Sequence, residues 1–214
     1  MKYAVLGTGM VGQTLAAKLV SLGHEVKMGA REAANAKAAE FVTKHGAKAS
    51  QGTFADAAKF GDIVINATKG DGALAALRAA GADNLKGKVL IDISNPLQFH
   101  DNAPPTLSVV NTDSLAEQIQ REFAQTHVVK TLNTMFCGVM VNPALVSGDS
   151  DVFVSGNDAG AKAKVIDMLK SFGWKDPIDL GDISTARGTE QLLPIWVRLW
   201  GKLGKAEFNF KIVR

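Results

Sequence analysis

The sequence has one cysteine, four histidines and no long apolar run. Cys137 alone cannot form a disulfide within the chain, which is typical of a reducing cytoplasm. Four dispersed histidines beside a single cysteine argue against a transition-metal site. The apolar runs fall far short of the ~20 residues that cross a bilayer, and no secretory leader is recognised. We therefore expect a cytoplasmic globular protein without a metal ion.

An excess of charge of one sign is also missing. The chain has 24 basic and 21 acidic residues, a formal net charge of +3 at pH 7. Because the basic residues form no long run, we expect neither a nucleic-acid nor a membrane-surface partner. Hydrophobic residues make up 46% of the 214 residues, which excludes a disordered chain. The length suits one domain of ordinary size with a smaller attachment.

Short apolar runs alternate with helical patterns over the first 130 residues. We predict strands at 3–6, 25–28, 47–49, 62–66, 88–93 and 128–132, and helices at 11–22, 33–45 and 115–123. Strands that alternate with helices pair in parallel, because a parallel connection needs a crossover of a dozen or more residues. The pattern therefore predicts an α/β fold with a doubly wound parallel sheet.

The pattern changes from residue 134 onward. We predict a strand at 151–155, a helix at 159–172 and a second helix at 184–203, the last interrupted by Gly188, Pro194 and Gly201. Seven of its residues are large and apolar: Leu192, Leu193, Ile195, Trp196, Val197, Leu199 and Trp200. Either both faces of this helix are covered within the subunit or one meets a partner, and we favour the partner. We divide the chain into a domain at 1–133 and a small C-terminal α/β domain at 134–214.

Residues 7–12 form a glycine motif directly after the first predicted strand. They are Gly7, Thr8, Gly9, Met10, Val11 and Gly12, in the pattern G-x-G-x-x-G. Between a strand and a helix this motif is typical of an NAD(P)-binding Rossmann fold. Gly7 permits the tight turn, Gly9 lets backbone amides approach a pyrophosphate, and Gly12 lets the helix pack on the strand. The alternative is a glycine-rich turn without a ligand.

The end of the second predicted strand indicates which dinucleotide binds. Sites for NAD usually carry Asp or Glu there, which accepts hydrogen bonds from the ribose 2′-hydroxyl. Here Gly29, Ala30 and Arg31 end the strand, and Glu32 comes one position too late. The Arg31 guanidinium can bind a 2′-phosphate through two hydrogen bonds, although a solvated surface arginine is the alternative. We therefore expect NADP(H) rather than NAD(H).

Polar residues follow three later strands, where open parallel sheets bind their ligands. They are Thr68 and Lys69, then Ser94, Asn95 and Pro96, then Asn133 and Thr134. Each group can face the crevice at the edge of the sheet, but such residues are also ordinary turn formers. The two interpretations have equal weight from the residues alone.

Five segments of the chain resemble the NADP-dependent reductases of the deazaflavin coenzyme F420. They are residues 5–12, 22–26, 29–31, 128–134 and 190–194, and the likeness covers essentially the whole chain. The resemblance implies a Rossmann domain followed by a small domain that helps to close the site and dimerises. It also implies F420, or a flavin, as the second substrate beside NADP(H).

The resemblance assigns roles to individual residues. Thr8, Gly9, Met10 and Val11 match the pyrophosphate loop, and Ala30 and Arg31 match the pair that holds the 2′-phosphate. Thr68 and Lys69 match the segment beside the nicotinamide, and Cys137 falls near another cofactor contact. Asn133 stands where these reductases commonly carry histidine beside the second cofactor. Related bacterial proteins and membrane metalloreductases have Asn-Thr there. We take Asn133 and Lys69 as the candidate catalytic residues.

Three functions remain open from the sequence. Hydride transfer between NADPH and a flavin or deazaflavin asks little acid–base chemistry of the protein. Reduction of a small carbonyl or imine needs a proton donor, for which Lys69, His100 and Lys130 are candidates. A non-catalytic dimer that senses NADP would need the same pocket. Dehydrogenases of the β-hydroxyacid type and pyrroline-carboxylate reductases need a longer helical second domain than ~80 residues allow. We favour the first function, in a homodimer that forms through the C-terminal helix.

Overall fold

The computed structural model describes residues 1–101 and 103–213. Its strands are β1 (Lys2–Leu6), β2 (Glu25–Ala30), β3 (Ala49–Thr53), β4 (Ile63–Asn66), β5 (Val89–Asp92), β6 (Leu97–His100), β7 (Ala103–Leu107), β8 (His127–Thr131), β9 (Phe153–Gly156) and β10 (Ile178–Gly181). Its α-helices are α1 (Met10–Ser21), α2 (Ala36–His45), α3 (Phe54–Phe60), α4 (Ala73–Ala80), α5 (Ala82–Leu85), α6 (Leu115–Glu122), α7 (Cys137–Val141), α8 (Ala159–Phe172), α9 (Ala186–Gln191) and α10 (Leu193–Leu203).

Eight strands form one sheet in the order β10-β9-β8-β5-β4-β1-β2-β3. Six of its strands pair in parallel, in the order β8-β5-β4-β1-β2-β3, which confirms the doubly wound, Rossmann-like α/β fold. The pair β8–β9 is antiparallel and β9–β10 is parallel, so the last two strands run against the others. The C-terminal residues thus extend the same sheet, and the domain division at residue 133 stays a prediction.

Side chains of the central strands enter two separate cores because successive residues of a strand point to opposite faces. Tyr3 and Val5 pack with α1, α2, α7 and α8 on one face. Ala4 and Leu6 pack with α3, α4, α5 and α6 on the other. Both faces of the sheet are therefore covered by helices, which is why β1, β4 and β5 are almost continuously apolar.

Several predicted elements differ from the observed ones. The strand predicted at 47–49 is β3, which starts at Ala49 and includes the polar residues Ser50 and Gln51. It is an edge strand, so polar side chains are tolerated there. The helix predicted from residue 33 starts at Ala36, because the Asn35 side chain caps it by accepting a hydrogen bond from Ala38 N at 3.1 Å. The helix predicted at 184–203 is two helices, with Pro194 in the first turn of α10, where its missing N–H costs no helix bond.

The antiparallel hairpin of β6 and β7 is an element that the sequence pattern did not predict. Leu97 pairs with Leu107 and His100 with Ala103. Pro104 and Pro105 lie within β7, and they are typical of a loop because proline has no N–H to donate to a neighbouring strand. The hairpin directly follows the loop after β5, beside the crevice. None of the described helices is both long and apolar enough to span a membrane.

Candidate cofactor site

The glycine motif forms the turn between β1 and α1. Gly7 has φ +115° and its amide donates to Gly29 O at 3.0 Å, which ties the turn to β2. A Cβ at Gly7 would lie 2.6 Å from Ala67 O, and one at Gly12 would overlap the Gly7 carbonyl. A Cβ at Gly9 would meet nothing within 4 Å. Gly7 and Gly12 must therefore be glycine because a Cβ would overlap backbone atoms, whereas a Cβ at Gly9 would point into open space.

The first turn of α1 presents unpaired backbone amides. The first bond of the helix runs from Gln13 N to Gly9 O at 2.9 Å, so the amides of residues 10–12 have no partner within the helix. No side chain caps this helix. The free amides and the positive end of the helix dipole make this turn a site for an anion.

A cavity of about 1030 Å³ lies over this turn. We name it the phosphate cavity; its lining includes Gly7, Thr8, Gly9, Ala30, Arg31 and Lys69. Arg31 follows the last residue of β2, its side chain is exposed, and it makes no ion pair with any described residue. The open guanidinium and the free amides are complementary to a dinucleotide that carries both a pyrophosphate and a further phosphate. The residues present therefore fit NADP(H).

A second cavity of about 240 Å³ lies at the carboxyl ends of β4 and β5. We name it the ring cavity; its lining includes Val11, Thr68, Lys69, Ser94, Asn95 and Phe99. Thr68 and Lys69 line both cavities, so the two are neighbours along the crevice. Phe99 belongs to the hairpin and is 74% exposed. The ring cavity is thus a partly apolar space next to a site for phosphates.

Three neighbouring strands each place a polar residue below the ring cavity. Asn66, Asp92 and Lys130 lie side by side in the registers of β4, β5 and β8. Lys130 is 1% exposed and donates to Asp92 Oδ2 at 2.7 Å and to Ser94 O. Its third partner is Glu190 Oε1 at 2.9 Å. Burial alone would lower the pKa of Lys130, but the charges of Asp92 and Glu190 outweigh it and raise that pKa above its ordinary value.

This environment corrects one prediction from the sequence. Lys130 was a candidate proton donor to a carbonyl or imine, but it lines neither cavity and all three of its N–H bonds are used inside the protein. Its neighbours Asp92, Glu190 and Asn66 were not recognised from the sequence. The signal that could have found Asn66 and Asp92 is a polar residue at the end of an otherwise apolar strand. Glu190 has no such signal because it comes from α9.

The remaining candidate residues lie at different depths. Asn133 is 3% exposed, lines neither cavity and donates to Asn95 Oδ1 at 3.0 Å and Thr189 O at 3.1 Å. Asn95 returns a bond to Asn133 O at 2.9 Å and itself lines the ring cavity. Asn133 can therefore influence the ring cavity only by positioning Asn95.

Two more candidates lie away from the cavities. Cys137 is buried at the start of α7, where its Sγ lies 3.6 Å from Thr14 Oγ1; it lines neither cavity. His100 is exposed on the hairpin, 2.7 Å from Thr106 Oγ1, and also lines neither cavity.

The comparisons with known proteins agree with this geometry. Residues 2–96 match the model of a family described as NADP oxidoreductase, coenzyme F420-dependent. The F420-dependent NADP reductase of Methanocaldococcus jannaschii is 32% identical over 208 residues, which cover 93% of this chain and 92% of that protein. The rat metalloreductase STEAP3 is 29% identical over 200 residues, which cover 91% of this chain but 38% of that protein.

Solved structures extend the comparison to the whole fold. A protein from Arthrobacter sp. FB24, described provisionally as an F420-dependent NADP reductase, is 55% identical with a TM-score of 0.95, and all of each chain is covered. The imine reductase of Myxococcus stipitatus in complex with NADP⁺ is 18% identical with a TM-score of 0.66, over 95% of this chain and 63% of that one; that likeness concerns the fold alone. The chain is an oxidoreductase and belongs to the family of coenzyme F420-dependent NADP oxidoreductases.

Proposed function

We propose that this chain transfers hydride between NADPH and a flavin or deazaflavin acceptor. The observation that carries the proposal is that Thr68 and Lys69 line both cavities. One cavity offers amides and a guanidinium to phosphates, and the other offers a small, partly apolar space for a ring. The M. jannaschii relative is named an F420-dependent NADP reductase, which supports the same pair of substrates here.

In this proposal the phosphate cavity holds the adenosine end of NADPH. Ala30 and Arg31 hold the 2′-phosphate, and the turn from Gly7 to Gly12, with Thr8, Met10 and Val11, holds the pyrophosphate. Thr68, Lys69 and Asn95 then surround the nicotinamide, since they come next along the crevice. When bound, the nicotinamide supplies the hydride. The protein binds, aligns and shields the reacting rings.

Beside the nicotinamide, the ring cavity favours a flat acceptor that can stack on it. Phe99 and Val11 offer apolar surface to it, and among its described lining residues Lys69 alone carries a positive charge. Hydride transfer between two stacked rings needs alignment more than a proton donor. A small carbonyl or imine substrate is the second candidate, with Lys69 as the proton donor; Asn133 would act through Asn95 in either case.

We also propose a homodimer in which residues 134–214 supply the dimer contact and part of the acceptor site. Ile195, Trp200 and Leu203 of α10 are each about half exposed in the single chain. Helix α10 packs on β7 of the hairpin that carries Phe99. A partner on this helix would therefore lie close to the ring cavity.

A titration followed by an acceptor screen tests the proposed function. The protein is titrated with NADPH and NADH, and NADPH oxidation is then followed with FMN, FAD, F420 and a panel of small imines and carbonyls. We expect tight NADPH binding and turnover with a flavin or F420. Turnover with an imine alone would favour the second candidate, whereas binding without any turnover would favour a sensor. If neither nucleotide binds, the assignment of the glycine turn is wrong.

A further inference from the structure

The hydrogen-bonded chain below the ring cavity has a fixed direction. It begins at Lys130, whose three N–H bonds point to Asp92, Ser94 and Glu190. Both oxygens of Asp92 face groups that can only donate: Oδ2 lies 2.7 Å from Lys130 Nζ, and Oδ1 lies 3.3 Å from Ser94 N. Both carboxyl oxygens of Asp92 are therefore hydrogen-bond acceptors.

Asp92 determines the orientation of the Asn66 amide. Asp92 Oδ1 lies 2.8 Å from Asn66 Nδ2, so the NH2 group of Asn66 faces the carboxylate. The reverse orientation would place two oxygens in contact inside the core, where an unpaired polar contact is costly. The carbonyl Oδ1 of Asn66 must then point the other way, toward the crevice.

Asn66 in turn determines the direction of the Thr68 hydroxyl. Asn66 Oδ1 accepts from Thr68 Oγ1 at 2.7 Å and lies 3.4 Å from Thr68 N. A threonine hydroxyl has one hydrogen, and here it is used on Asn66. The Thr68 oxygen therefore presents only lone pairs to the crevice, where Thr68 lines both cavities.

We propose that Thr68 is an acceptor-only position that selects the carboxamide NH2 of the nicotinamide ring and rejects rings that carry an acceptor there. This inference rests on the proposed binding of NADPH. In the ring cavity the carboxamide is the ring's own hydrogen-bond donor, and Thr68 stands where the phosphate and ring cavities meet. Lys130, Asp92 and Asn66 thus determine which cofactor substituent Thr68 binds, although none of the three contacts the cofactor.

Binding of cofactor analogues to Thr68 variants tests this inference. Dissociation constants are measured for NADP⁺, for its acetylpyridine analogue, in which CH3 replaces the carboxamide NH2, and for its nicotinic acid analogue, which has a carboxylate. Thr68→Val removes the hydroxyl at nearly constant shape, and Thr68→Ser keeps it. Binding of 2′-phospho-ADP-ribose, which has no nicotinamide, serves as the control for an intact phosphate cavity.

The wild type should prefer NADP⁺ to the acetylpyridine analogue by about three- to tenfold, the range of one neutral hydrogen bond. Thr68→Val should bring this ratio close to one and relieve the rejection of the carboxylate analogue, whereas Thr68→Ser should retain both. Lys69 is present in every variant, so its attraction for the carboxylate cancels in the comparison.

Two results would overturn the inference without touching the proposed function. Equal losses of all three dinucleotides in Thr68→Val would place the contact on the ribose or phosphates. A Thr68→Val variant that disfavours the carboxylate analogue relative to NADP⁺ as strongly as the wild type does would show that Thr68 does not reject an acceptor. If 2′-phospho-ADP-ribose and NADPH both fail to bind the wild type, the proposed function itself is wrong.

Discussion

Arg31 is the residue on which the choice of nucleotide depends. It follows β2 without a carboxylate before it, and its exposed guanidinium makes no ion pair among the described residues. An unpaired guanidinium at a cavity of this kind loses little on binding, because no internal partner has to be released. A 2′-phosphate could accept two charge-assisted hydrogen bonds from this guanidinium in a bidentate arrangement.

Replacing Arg31 tests this role directly. Arg31→Ala should weaken NADPH binding by about 1.5–3 kcal/mol, the worth of hydrogen bonds to a charged group, and should leave NADH binding nearly unchanged. Arg31→Lys is the matched control, because it keeps the charge and loses the planar fork; its loss should be intermediate. Calorimetric titrations with both nucleotides measure the effect. Equal losses for NADPH and NADH would exclude Arg31 as the phosphate ligand.

Sequence reasoning locates exposed residues of the site better than buried ones. Arg31 and the glycine motif were found because their spacing has a direct physical meaning at a strand end. Lys130 was named a candidate proton donor, a role that needs access to the substrate, and it is buried although a lysine is normally exposed. Its burial depends on Asp92 from the neighbouring strand and on Glu190, which is 60 residues away. Such a pairing is set by the tertiary fold and has no local signature.

At the scale of elements, the turn between β1 and α1 contains one glycine that the fold needs and another that cofactor binding needs. Gly12 meets the Gly7 carbonyl within the turn, whereas Gly9 has open space on the side of the phosphate cavity. Gly9 also has φ −73°, which any residue can adopt. The two glycines therefore have different reasons to be glycine, although the sequence motif lists them alike.

Alanine substitutions should separate these two roles. Gly9→Ala should leave the unfolding temperature nearly unchanged and weaken NADPH binding by about tenfold or more, since the methyl group occupies space that a pyrophosphate would approach. Gly12→Ala should lower the unfolding temperature, because its Cβ overlaps backbone that cannot move without opening the turn. Thermal unfolding and NADPH titration of both variants measure this. A stable Gly9→Ala that binds NADPH as well as the wild type would contradict the phosphate site.

Elements with a strong local signal were predicted well, and those set by pairing were not. Helix α8 was predicted with its observed bounds from its apolar periodicity. In the structure Asp158 caps it and Gly173 ends it in the left-handed conformation. The hairpin of β6 and β7 was missed because its prolines resemble a loop. The reversed direction of β9 was also missed. Strand direction depends on how the chain between residues 132 and 152 crosses the sheet, which hydrophobic periodicity does not encode.

At the scale of the whole molecule, one side of α10 keeps three large apolar side chains about half exposed in the single chain. Ile195, Trp200 and Leu203 are 47–50% exposed, and at 100° per residue they lie on one side of α10. Trp196 lies between Leu203 and Trp200 on that side and stacks on Phe208 with ring centroids 5.3 Å apart, so the C-terminal segment covers this side in part. A cluster of large exposed side chains on one side is typical of an interface. Because α10 packs on β7, a partner bound to α10 would lie near the end of the crevice where we place the acceptor.

Trp200→Glu should therefore convert a dimer into a monomer, because it places a charge in the apolar centre of the proposed contact. Sedimentation velocity measures the mass, with Leu22→Glu as the control, since Leu22 is an exposed apolar residue at the end of α1. Because α10 packs on β7 and none of its residues lines the phosphate cavity, NADPH affinity should stay unchanged while kcat/KM for the acceptor falls. An unchanged mass would refute the contact through α10. A monomer with full activity toward the acceptor would show that α10 joins two chains without completing the site.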